Sequence, residues 1–163
     1  MSIIEICQWL QDMGPATALR ESQLMFPIIE GTHLLGLALM MAPILMLDLR
    51  LTGVIWKSEP VSKIRDQFLP ITVFGFVVMM LTGILLFWSE AVKCWHSPYF
   101  RIKLVALVLA GLNALLFHST IDKKISEWEN NAFMPSRAKL AGVMSILTWT
   151  AVIAAGRYTA YNL

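Results

Sequence analysis

Residues Leu24–Leu47 read LMFPIIEGTHLLGLALMMAPILML. Only Glu30 and His33 interrupt the run. It meets the roughly 20 apolar residues needed to cross a bilayer. Three more runs follow. Pro70–Trp88 and Leu140–Gly156 hold no charged residue, and Leu104–Ile121 is broken only by His118. In lipid the backbone must satisfy its own hydrogen bonds, so these runs are helices. The chain is 57% hydrophobic and 15% charged, with mean hydropathy +0.65. A soluble domain would carry about 25% charge. Four buried helices of a soluble bundle are the alternative, but soluble helices show a polar face and these runs do not. The expected fold is all-α: an integral membrane four-helix bundle with a short N-terminal amphipathic helix. One transmembrane domain is expected over 1–163, with spans near 24–47, 70–90, 102–121 and 139–159.

Outside the spans the sequence is modest in signals. Met1–Trp9 lacks the basic start of a cleavable signal peptide, so the first span is expected to act as its own insertion signal. Ile3–Leu10 (IIEICQWL) has the pattern of a short amphipathic helix in the membrane interface, an anchor or a docking surface. Basic residues set orientation. Arg50, Lys57, Lys63, Arg65, Lys123, Lys124, Arg137 and Lys139 fall on one side, and Arg20, Lys93, Arg101, Lys103 and Arg157 on the other. The bias places both termini outside the cytoplasm, in the periplasm of a bacterial inner membrane. Trp56, Trp88, Trp95, Tyr99 and Tyr158 sit near span ends, where amphipathic rings settle. The polar segments Lys57–Gln67 and Asp122–Lys139 are expected as cytoplasmic loops, with a helical turn over Ser126–Asn131. Cys7 and Cys94 share the outer side, which permits a disulfide; two unpaired thiols are the other reading.

The ionisable residues inside the spans carry the functional signal, because such residues are costly in lipid. His33 lies three residues after Glu30 and three before Gly36, so the three share one helix face. In the third span Lys103, Leu107, Gly111, Ala114 and His118 trace one stripe. Imidazole is a common haem-iron ligand. His33 and His118 are thus candidate axial ligands of haem b. Gly36 and Gly111 leave room for a flat group, and Lys103 and Arg157 suit its propionates; Arg101 is a further outer cation, and Arg50, Lys123 and Lys124 are inner ones. Glu30 can orient His33 or relay protons. The structural reading has histidines bonded to carbonyls or hydroxyls, glycines serving helix contacts and cations snorkelling. Depth strains a single shared haem, since at 1.5 Å per residue the two histidines are offset by roughly 13 Å. In a second arrangement each histidine has its own site, with the loop residue His96 approaching the level of His33. Asp48 and Arg50 read as a local anchor, or as a headgroup or quinone contact. Asn113 reads as interhelical glue. The methionines, including Met40, Met41, Met79 and Met80, are packing residues or copper ligands.

The stretches FPIIEGTHLLG, DLRLTG and YFRIKLVALVLAGLNALLFH resemble an uncharacterised family of small four-span bacterial inner-membrane proteins. More distantly they resemble two other patterns. One is the HemJ-type protoporphyrinogen oxidase, with a histidine in its first span and a lysine opening a later one, matched here by His33 and Lys103. That resemblance implies bound haem b. The chain departs from it at Glu30 and at Asp48-Leu49-Arg50. The other is the CopD-type copper-resistance domain, which implies copper.

The leading expectation is a haem b-binding, cytochrome b-like electron-transfer subunit between a periplasmic redox partner and the quinone pool. The alternatives are a porphyrinogen oxidase, a copper-handling or transport protein, and a cofactor-free structural subunit. A larger membrane complex or a homo-oligomer suits each of them, and no nucleic-acid partner is expected.

Overall fold

The structure is a computed structural model that describes residues 2–121, 123, 125–129 and 134–161. The chain is all-α. In order it forms α1 (Ile3–Gln11), α2 (Gly14–Glu21), α3 (Met25–Thr52), α4 (Val61–Ser89), α5 (Ala91–His96) and α6 (Pro98–Leu116). A π-helical turn over Phe117–Ile121 ends α6, and α7 (Ile125–Trp128) and α8 (Ser136–Tyr161) follow. Four helices are long and apolar enough to cross a membrane: Met25–Thr52, Val61–Ser89, Pro98–Thr120 and Ser136–Tyr161. Their outward faces are bare hydrocarbon, as at Leu35 (68% exposed), Phe74 (61%), Val105 (61%) and Leu147 (59%). Contiguous apolar surface on this scale needs lipid rather than water against it. The molecule is a multi-pass membrane protein.

The helices overrun the apolar segments at several ends, most at the start of α4. The expected loop Lys57–Gln67 is already helical from Val61. Pro60 precedes the first helical residue, and Val61 and Ile64 are buried at 0% and 5% exposure. Hydropathy sees only lipid-facing length, whereas this extra turn is held by tertiary packing. Val61 joins Leu51, Phe117, Trp128, Ala138 and Ala141 in an apolar cluster at one end of the bundle. The turn expected over 126–131 is present in part as α7; residues 130 and 131 lie outside the described residues.

α3 packs chiefly on α4, α6 packs on α8, and the two pairs meet along α3 and α8. Glycines set the closest approaches. A Cβ on Gly75 would stand 2.6 Å from Met40 N and 2.9 Å from Gly36 O, and one on Gly36 would stand 2.8 Å from Val78 Cγ1. The α3 and α4 backbones therefore touch, the usual device of membrane helix pairs. At the α3–α8 crossing a Cβ on Gly142 would lie 3.0 Å from Asp48 O.

The end carrying both termini, here the upper end, has its own cover. α1 is nucleated by a capping box, with Ser2 Oγ accepting from Glu5 N and Glu5 accepting from Ser2 N. It packs on α5, burying Cys7, and leaves Ile3, Ile6 and Trp9 exposed. Gln11 Oε1 accepts from Val92 N at 3.0 Å. α2 was not expected from the sequence; from it Arg20 Nη1 donates to Ser89 O at 3.4 Å. At the lower end Arg50 Nε donates to Glu59 O at 2.9 Å and Nη2 to Lys57 O at 3.3 Å, which closes the α3–α4 loop.

Candidate functional site

Among the described residues, one cavity lies toward each end of the bundle, and all four spans line both. The upper one, about 170 Å³, brings together Glu30 and His33 from α3, Lys103 from α6 and Arg157 from α8. The lower one, about 180 Å³, is lined by His118, Asp48, Asn113 and Ser145 among others. The two histidines singled out in the sequence do not share a cavity.

His33 is positioned by α4. Its Nδ1 lies 2.8 Å from Thr82 Oγ1. Thr82 in turn donates its hydroxyl to Val78 O at 2.6 Å, the i−4 back-bond that threonine makes inside helices. When that proton stays on Val78 O, the hydroxyl oxygen is free to accept from an Nδ1–H. In that tautomer Nε2 is the lone-pair nitrogen of a ring that lines the cavity, with the Met79 carbonyl also close to the ring. Gly83 makes room for this ring: a Cβ there would stand 3.2 Å from His33 Cε1. The pair Thr82-Gly83 went unnoticed in the sequence. Its one signal is a small hydroxyl residue beside a glycine within an otherwise apolar span.

Lys103 is half-buried, its stem lying along Gly156, whose Cβ would be 3.8 Å from Lys103 Nζ. It makes no hydrogen bond or ion pair among the described residues. Arg157 is exposed at the rim, donates to Tyr161 Oη at 2.8 Å and lies over that ring. Glu30 is exposed at the mouth. Glu90 is buried at 8% exposure and pairs with Lys93 at 2.8 Å. Phe87 of α4 and Phe100 of α6 stack at 5.4 Å between ring centroids and wall the same space.

Cys94 also lines the upper cavity. It and Cys7 are both buried and unbridged. Burial first, then the Glu90 carboxylate and, more weakly, the Cys7 thiol push the Cys94 thiol up to about 11, against the lowering pull of Lys103 and Lys93.

The remaining candidates divide. Gly36 lines neither cavity and serves the α3–α4 contact; Gly111 is exposed, with open space where a Cβ would stand. His118 is exposed on the π-helical turn, edge-on to Phe117. His96 is exposed at the end of α5, outside the upper cavity. Asp48 and Arg50 do not pair: two residues apart on a helix, they face different ways. Asn113 Nδ2 donates to Ala141 O at 3.0 Å, tying α6 to α8. Arg101 folds back on Trp95 O at 3.1 Å. Lys124 lies outside the described residues. Met79 lines the upper cavity, whereas Met40 is buried at 2% exposure in the α3–α4 packing. Among the described residues no three His, Cys, Asp or Glu side chains converge into a metal-holding group.

Residues 25–162 match a family of unknown function, DUF6644. The chain belongs to this family. The match covers all four spans and stops short of α1 and α2. No curated protein and no solved structure matches the chain.

Proposed function

We propose that this DUF6644 chain is a haem b-binding redox protein of the bacterial inner membrane, in which His33 would hold the haem in the upper cavity. The observation that carries the reading is His33 itself. Its Nδ1 stands 2.8 Å from the Thr82 hydroxyl, and its ring lines a cavity shared by all four spans. A metal-ligating histidine characteristically donates its other ring N–H to a neighbouring acceptor, and Thr82 fills that place. Lys103 and Arg157 supply cations for the propionates, and Phe87 and Phe100 supply flat apolar wall. His118 lines the other cavity and is left out of the ligand set.

The donor set suits haem, but the space takes only part of it. A cavity of about 150 Å³ holds a benzene ring, and cofactor sites usually run to about 300–1,000 Å³. Haem iron bound there supplies one-electron chemistry. The chain's own residues would hold it: Thr82 would orient the imidazole, Gly83 leaves room for that ring, and Lys103 and Arg157 would meet anionic edges. The basic-residue bias puts this cavity on the periplasmic side, within reach of a periplasmic donor and of quinone.

A second reading, a HemJ-like porphyrinogen oxidase, is favoured by one observation. The two residues that carry that resemblance, His33 and Lys103, face the same cavity. Absorption spectra of the purified protein, oxidised and then dithionite-reduced, test both readings. A Soret band that shifts on reduction is the expected result. Its absence after haem-sufficient expression overturns both, and metal analysis then tests the copper reading, with Met79, Glu30 and His33 as donors. Porphyrinogen turnover separates the enzyme from the electron carrier.

A further inference from the structure

The lower cavity holds a carboxylate without a counter-charge. Asp48 is 6% exposed and faces α8, where the Ser145 side chain hydrogen-bonds it. No cation pairs with it among the described residues. Arg50 is turned away to the carbonyls of Glu59 and Lys57. A buried carboxylate is costly unless an opposite charge and further donors complete it.

The surroundings say what could complete it. Phe68, Phe117 and Trp149 line the same space, and aromatic faces attract cations. Asn113 donates its amide N–H to Ala141 O, which leaves its carbonyl oxygen as a second acceptor on a residue of the same cavity wall. The cavity, about 180 Å³, is slightly larger than the roughly 150 Å³ that accepts a benzene ring. We propose that the lower cavity binds a small amphiphilic monoamine, its ammonium on Asp48 and its apolar body against the aromatic wall.

The other charged and titratable groups around the cavity are consistent with a single positive charge. α4 contributes Arg65, whose Nε is held by Asp66 Oδ1 at 2.8 Å. The π-helical turn contributes His118, exposed at the cavity's edge. α8 and α6 contribute the neutral Ser145 and Asn113. Arg65 would oppose a dication, and the volume excludes a long-chain lipid amine lying wholly inside. The site is independent of haem binding above it.

Benzylammonium is the probe, and Trp149 in the cavity wall is the reporter. Titration into the detergent-purified protein should change tryptophan fluorescence saturably, and Trp149→Phe should remove that response. Removing one partner of a buried charge pair costs at least about thirtyfold in affinity, which is the loss expected in Asp48→Asn. Benzyl alcohol, with nearly the same shape and no charge, should compete poorly. Should Asp48→Asn fail to fold, Ala114→Phe serves in its place, because it fills the cavity without touching Asp48 and should also abolish binding. The proposal is overturned if the wild-type protein gives no saturable response, as expected of a carboxyl that merely holds a proton. It also fails if Asp48→Asn, or Ala114→Phe, binds benzylammonium as well as the wild type does, or if benzyl alcohol binds equally.

Discussion

The two cavities are lined by the same four helices and are nearly equal in size, yet their chemistry differs. Above, the imidazole of His33, the carboxyl of Glu30 and the ammonium of Lys103 face the space. Below, the unmatched group is the carboxylate of Asp48. Most of the rest of both walls is hydrocarbon or aromatic ring. In a bundle this apolar, one or two residues decide what each end can hold. The contrast explains why His33 and His118, alike in sequence, differ in prospects. His33 stands beside Thr82 of a neighbouring helix and lines the upper cavity. His118 stands exposed on a π-helical turn.

The largest expected effect separates the two ends outright. His33→Ala should remove the haem absorption bands, while His118→Ala should leave both the spectrum and the haem-to-protein ratio unchanged. Loss of the bands in His118→Ala would erase the distinction drawn between the cavities. Thr82→Val tests the orientation of His33 without removing it. Loss of an outer partner to a metal-ligating histidine costs about 10–100-fold in affinity, so haem retention should fall by that order, with no change in amine binding below.

Gly75→Val acts on both cavities together. Its side chain would be driven into the Met40 backbone, and overpacking of this kind costs about 1–3 kcal/mol. Thermal unfolding in detergent should shift down, and both binding activities should weaken in parallel. An effect confined to one cavity would show that the ends fold more independently than the shared helices suggest.

The smallest effect belongs to Cys94. Its thiol is raised to about 11 in the fold, above its ordinary value of 9.0. The unfolded chain therefore loses this proton first as pH rises. The stabilising contribution is full below pH 9 and is lost as pH rises toward 11. Maleimide should label Cys94 slowly near neutral pH, and Cys94→Ser should flatten the alkaline part of the stability profile. Rapid labelling at pH 7 would mean that the cover formed by α1 and α5 opens readily.

Much of the protein was legible from the chain alone, for a physical reason. Lipid cannot satisfy backbone hydrogen bonds, so a long apolar run has one available structure, and four runs give four spans. The same constraint makes Glu30, His33, Asp48 and Lys103 stand out, because polar groups there need a cause. The role of Asn113 as a tie between helices was also readable, since a lone amide in a span usually finds a backbone carbonyl.

Which polar groups meet was not readable. The spans have no strong hydrophobic face, so nothing in their periodicity reports how each helix is rotated or which neighbour it prefers. Those choices were made by close contacts at Gly36, Gly75 and Gly142, which draw α3 against α4 and against α8. They turn His33 toward Thr82 and Lys103 and leave His118 at the far end. Membership of the membrane class was settled by composition acting through the solvent. The membership of each site was settled only by tertiary packing, because a residue's cavity depends on where three other helices stand.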